Sequence, residues 1–132
     1  RFGLPEAKLG LMPGYGGTQM VPRLAGIGMA KYMMFTGEML SAAQAEQCGL
    51  VQKVFSSEAL LEETLAIARR IAANGPFALS AIKRAINRGV EADIDTALKV
   101  ELEEYDKVAH SQDAKAGMEA FFAKKVPTFT GG

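Results

Sequence analysis

Apolar positions change their spacing several times along the chain, and each change marks an element. Over residues 1–22 no helical period survives, because Pro5, Pro13, Gly14, Gly16, Gly17 and Pro22 interrupt it; the pattern predicts a short extended segment and a Gly/Pro-rich turn. From Thr18 the period turns helical, with Met29, Met33 and Met34 on one face until Thr36-Gly37 ends the run. Those methionines are expected in the core, where an unbranched, adaptable side chain fills irregular gaps. Ser41 followed three residues later by Gln44 is a capping box opening a short helix that stops at Gly49. Leu50 to Phe55, β-branched and aromatic between turn signals, reads as a second short strand.

The remainder is helical in pattern. Ser57 is the expected N-cap of a helix whose apolar stripe is Leu61, Leu65, Ala68 and Ala72, with Glu58, Glu62 and Glu63 near its positive end and Arg69 and Arg70 near its negative end. Asn74-Gly75 stops it and Pro76 opens the next helix, which runs to about Arg88-Gly89 with Leu79, Ile82 and Ile86 inward and Lys83, Arg84 and Arg88 outward. A longer helix follows with Ile94, Leu98, Leu102 and Tyr105 in register; Glu101, Glu103, Glu104 and Lys107 are expected on its solvated face. The last helix starts near Ser111 or Asp113 and carries Met118, Phe121 and Phe122 before Pro127, and Thr130-Gly131-Gly132 is expected to fray. This predicts a mainly α segment with two short strands, too few to form a sheet of their own.

Composition narrows the function classes. The 15 Lys and Arg balance 15 Asp and Glu, and neither side of Ser57 is a charged tail, so no electrostatic footprint points to nucleic acid or an anionic membrane. The longest uncharged stretch, Leu9 to Pro22, is broken by two prolines and four glycines, which argues against a membrane span. One Cys and one His cannot supply the usual four protein ligands of zinc, so no metal site is expected. Cys48 reads as a small buried residue in a reducing compartment. The chain opens at Arg1 directly inside an apolar motif, and an upstream portion is expected.

Candidate chemistry lies at the front of the chain. Glu6 follows Pro5 at the lip of the extended segment, ahead of Met12-Pro13-Gly14-Tyr15-Gly16-Gly17-Thr18-Gln19; a carboxylate facing free backbone N–H groups can move a proton and hold a water, although an ordinary surface glutamate fits the same spacing. The glycines do not make a phosphate cradle, since Gln19 replaces the third glycine of a dinucleotide fingerprint and no Gly-Lys-Ser/Thr follows. They read as a tight turn into a helix. His110 is read as a bystander before a helix start.

Phe2-Gly3-Leu4-Pro5-Glu6, Lys8-Leu9-Gly10 and Pro13-Gly14-Tyr15-Gly16-Gly17-Thr18-Gln19 together resemble the active-site stretch of the enoyl-CoA hydratases, the crotonases. The likeness continues through Thr36-Gly37-Glu38, Ser41-Ala42, Gly49-Leu50-Val51, Gly117 to Phe122 and Lys124-Lys125, in the expected order. It implies the C-terminal half of an α/β crotonase-like fold, a spiral β-β-α superhelix. Residues 1–57 would end the core, with the active-site strand, the glycine turn and its helices, and residues 58–132 would be a helical oligomerisation region. It further implies addition of water across the 2,3 double bond of an acyl-CoA thioester. In that chemistry Glu6 exchanges a proton with C2, the backbone N–H of Gly14 helps hold the water, and Phe121 and Lys124 approach the adenine and phosphates of coenzyme A. By the same resemblance the partner glutamate and the two oxyanion-hole N–H donors lie upstream, so these 132 residues alone are expected to be inactive. No cofactor is held permanently, since coenzyme A enters as part of the substrate. The expected assembly is a homotrimer or hexamer, in the bacterial cytoplasm or the mitochondrial matrix. Isomerases, dehydratases and thioester hydrolases share the fold, and a non-catalytic helical association module is the alternative of a different class.

Overall fold

The computed structural model describes residues 1–132 as six α-helices with almost no extended pairing. The chain divides into two compact units, Arg1–Glu63 and Thr64–Gly132.

In the first unit, Phe2 exchanges both backbone hydrogen bonds with Leu40, N–H to O at 2.9 and 2.7 Å, as a single antiparallel bridge. The expected first strand goes no further: Pro5 leads into a 3-10 turn, Glu6–Leu9, which Gly10 closes in the left-handed region. Helix α1 spans Gly17–Thr36. Two features bend it. Pro22 lacks the N–H its position would donate, and Gly26 adopts φ 79°, ψ 157°, a conformation open essentially to glycine alone. Beyond that break Ala30, Met33 and Met34 are buried, as the methionine pattern predicted, while Met29 is half-buried. Leu40 and Ala45 complete this core.

Helix α2, Ala42–Gln47, opens with the predicted capping box: the Ser41 hydroxyl accepts from Gln44 N–H at 3.2 Å and Gln44 Oε1 accepts from Ser41 N–H at 2.9 Å. Half-buried Cys48 caps its end. The strand expected over Leu50–Phe55 does not form. Leu50 and Val51 both donate to the Ala45 carbonyl instead, and no neighbouring backbone pairs with residues 52–55; β-propensity cannot be expressed without a ladder partner. Helix α3, Leu60–Ala72, begins at the end of the first unit and lies mostly in the second; Ser56 rather than Ser57 caps the turn that leads into it, its Oγ accepting from Ala59 N–H at 3.3 Å. The Glu58 carboxyl sits below its ordinary range because its own backbone N–H, and then the Ser56 hydroxyl, bond to it. Nothing on α3 is buried, so its apolar stripe is formed but uncovered.

In the second unit, α4 (Pro76–Gly89) and α5 (Ile94–Ala109) make an antiparallel pair. Pro76 takes the first helical position, and Asp93 caps α5 by accepting from Thr96 N–H at 3.0 Å and from its hydroxyl at 2.7 Å. Those two bonds lower the Asp93 pKa, the hydroxyl's contributing most. The helices meet through small residues, with Ala81 buried and Ala97 against Gly89, so Ile82 and Ile86 stay 56% and 57% exposed rather than turned inward. They line a shallow groove of about 350 Å³ together with Tyr105 and Val108. Glu104 also departs from expectation: it is buried at 3% exposure instead of solvated. Arg84 contacts it through Nε at 2.9 Å and a terminal nitrogen at 2.7 Å, and Lys107 adds a bond of 2.9 Å. The Arg84 bond foremost, then that from Lys107, holds the Glu104 pKa down to about 2 against the upward push of desolvation.

Helix α6, Gln112–Phe122, is capped by Ser111, which accepts from Ala114 N–H at 3.0 Å. Exposed His110 ends α5 with Nδ1 2.8 Å from the Asp106 carbonyl. The C-terminal residues do not fray. Thr130 and Gly131 are bonded to the buried carboxylate of Asp113.

Candidate functional site

Glu6 opens the 3-10 turn, placed by Pro5, whose fixed φ suits the residue ahead of such a turn. Its carboxylate is half withdrawn: Oε2 is buried and has no hydrogen-bond partner. A buried acceptor left unpaired costs about 1–3 kcal/mol. Such an orphan in a native fold calls for an explanation.

The glycine turn stands on the other side of Leu11–Pro13. Gly17 lets α1 begin against Leu4 and Pro13, since a β-carbon there would lie 3.0 Å from Pro13 Cβ and 3.3 Å from the nearest Leu4 methyl. That packing ties the start of α1 to the segment that carries Glu6. Gly14 accepts from Gly17 N–H at 3.0 Å, its own N–H donates to no backbone carbonyl, and no atom stands within 4 Å of where a β-carbon would be. Tyr15 at φ 49° and Gly16 at φ 86° follow, two successive left-handed residues that turn the chain into α1. The structure thus places Glu6 and Gly14 in the same unit, as an unpaired acceptor and an open donor.

Phe121 and Lys124 belong to the second unit, at the end of α6. Phe121 is 74% exposed and meets Phe122 edge to face with ring centroids 5.7 Å apart. Lys124 N–H donates to Phe121 O at 3.1 Å and Lys125 N–H to Ala120 O at 2.9 Å, the paired bonds of a Schellman turn, with Lys124 at φ 53° in the position glycine normally holds. A left-handed lysine costs about 1–2 kcal/mol. Its side chain joins none of the ion pairs in the unit.

Two groups escaped the sequence pattern. Asp113 reads only as one of two candidate starts of the last helix, and nothing in that pattern shows that Thr130 and Gly131 bond to it. Glu104 looks like one of several surface glutamates; the signal was the row Ser80, Arg84 and Arg88 on the facing helix, where Arg84 also bonds Ser80 at 3.2 Å. No group of three or more His, Cys, Asp or Glu side chains is placed to hold a metal ion, and no helix is long and apolar enough to cross a membrane.

A family model described as enoyl-CoA hydratase/isomerase matches residues 1–132. The short-chain-enoyl-CoA hydratase of Clostridium acetobutylicum is 45% identical over 125 residues, which is 95% of this chain and 48% of that protein. The crotonyl-CoA hydratase of Syntrophomonas wolfei is 43% identical over 129 residues, 98% of this chain and 50% of that protein. A crystal structure of the enoyl-CoA hydratase from Bacillus anthracis superposes with a TM-score of 0.92 at 42% identity, covering 98% of this chain and 50% of that one. The chain therefore spans about half the length of these relatives, and its helices follow the corresponding part of their crotonase fold. Matched by that model from its first residue to its last, the chain belongs to the enoyl-CoA hydratase/isomerase family.

Proposed function

We propose that this chain forms the C-terminal half of an enoyl-CoA hydratase, which adds water across the 2,3 double bond of a 2-enoyl-CoA. The observation that carries the reading is the buried, unpartnered Oε2 of Glu6. In hydration a hydroxyl adds to C3 and a proton to C2; Glu6 exchanges the proton with C2, and the Gly14 N–H helps orient the water. Phe121 offers an exposed ring to the adenine, and Lys124 a cation to the phosphates of coenzyme A, where charge-assisted bonds are strongest. Coenzyme A arrives as part of the substrate, and the reaction needs no resident cofactor.

The 132 residues contribute one carboxylate and no oxyanion hole to this reaction. Loss of one oxyanion donor costs about a hundredfold to a thousandfold in rate, so the polypeptide alone is expected to show no hydration of crotonyl-CoA. Residues 58–132 serve association, and the exposed Ile82, Ile86 and Tyr105 support a homotrimer or hexamer. The bacterial cytoplasm and the mitochondrial matrix both suit such an enzyme; one relative, from Arabidopsis thaliana, is named as mitochondrial.

The test is Glu6→Gln in the full-length protein, which removes the proton-transfer group and keeps its shape. We expect kcat for crotonyl-CoA hydration to fall about 10²- to 10⁴-fold with KM little changed. Unchanged turnover would sink the assignment, and formation of a shifted double bond in place of a 3-hydroxy product would replace the hydratase reading by an isomerase.

A further inference from the structure

Asp113 lies in the first turn of α6, 5% exposed, and joins no ion pair. A buried carboxylate without a counterion must be stabilised by hydrogen bonds. Its Oδ1 accepts from Thr130 N–H at 2.7 Å and from the Thr130 hydroxyl at 3.3 Å, and Oδ2 accepts from Gly131 N–H at 2.9 Å. The Asp113 N–H in turn donates to the Gly132 carbonyl at 2.8 Å. Between Lys124 and Thr130 the chain therefore runs back along α6 from its last turn to its first. The Phe129 ring rides over bare backbone on the way: a β-carbon would lie 3.4 Å from it at Gly117 and 3.5 Å from it at Gly75. One end of this strap is the Schellman turn with its left-handed Lys124, and the other is the Asp113 carboxylate.

We infer that Asp113 is a positioning residue for Lys124: by fixing the far end of the strap it holds the strained Lys124 turn in one conformation and so sets where that cation meets the phosphates of a coenzyme A thioester. A residue in a disfavoured backbone conformation persists only where its surroundings over-determine it. The inference rests on the coenzyme A reading of Lys124 given above, and the experiment separates the two.

Kinetics of the full-length protein are measured with a 2-enoyl-CoA and with the matching 2-enoyl-pantetheine thioester, which lacks the nucleotide and its phosphates. Asp113→Ala is expected to raise KM for the coenzyme A thioester about tenfold, to leave kcat within about twofold, and to leave KM for the pantetheine thioester unchanged. Asp113→Asn recovers only part of this, because its amide NH₂ turns a second donor toward a backbone N–H. Lys124→Ala tests the underlying reading: without a KM rise confined to the coenzyme A thioester, that reading fails. If Lys124→Ala shows the selective rise and Asp113→Ala does not, or raises KM for both substrates alike, the positioning role is overturned and the coenzyme A reading stands. In the double variant KM should match that of Lys124→Ala; additive effects would overturn the coupling. Thr130→Pro, which removes one N–H and the hydroxyl while leaving Asp113 in place, should reproduce the split if Asp113→Ala does not fold.

Discussion

At the scale of single residues, unsatisfied Glu6 and left-handed Lys124 fall on residues that the sequence motif singled out, as does left-handed Tyr15. Glu6 keeps an unpaired buried oxygen and Lys124 a left-handed backbone, and neither arrangement helps the fold. Lys124→Gly should therefore stabilise the protein by about 1 kcal/mol, since glycine carries no left-handed penalty, while weakening coenzyme A thioester binding. Denaturant titration beside KM checks this, and a destabilised variant would show that the turn is not strained. Glu104 makes the opposite case, a buried charge that serves stability. Its pKa is held from 4.5 down to about 2, so its contribution is fully present above pH 4.5 and lost as pH falls toward 2. Acid titration should show this limb, Glu104→Gln should flatten it, and Arg84→Ala should lower Tm at neutral pH by leaving the carboxylate buried with fewer partners. Glu6 stands out in its motif, but its buried, unpaired oxygen does not. Glu104 does not stand out, because a helical period tells which residues share a face but not which face a neighbour's arginine will reach.

At the scale of elements, local chemistry is legible in the sequence and long-range pairing is not. The Ser41–Gln44 box, Pro76 at a helix start and Gly37 at a helix end all depend on groups within one turn, and all three hold their expected places. Leu50–Phe55 failed because a strand is completed by a partner elsewhere, and Ser57 lost its cap to Ser56 because neighbouring serines compete for the same N–H groups. Pro22 reads as the last punctuation of the turn region, yet it lies inside α1, where the Gly26 break follows one turn later. Gly26→Ala should cost about 1–3 kcal/mol, because φ 79° with ψ 157° is closed to a residue with a β-carbon. A thermal melt measures it, and an unchanged Tm would mean that α1 can straighten without loss.

At the scale of the whole molecule, the accessible surface is 9983 Å². Even two separate compact bodies, each of half the 14.1 kDa mass, would expose only about 8,100 Å² together. Large apolar side chains stand exposed, Leu61, Leu98, Leu102 and Phe122 among them. Their periodicity was plain in the sequence; their burial was not, since amphipathic spacing marks a face that can be covered and says nothing about what covers it. The 132-residue polypeptide alone should consequently associate, and light scattering that showed a well-folded monomer would count against the association role of residues 58–132. The strap has a consequence on another timescale. Composition makes Thr130-Gly131-Gly132 look like a tail open to solvent, but the amide protons of Thr130 and Gly131 are held by Asp113. They should exchange with deuterated solvent as slowly as the first-turn amides of α6, so that the end of the chain opens only when that helix does.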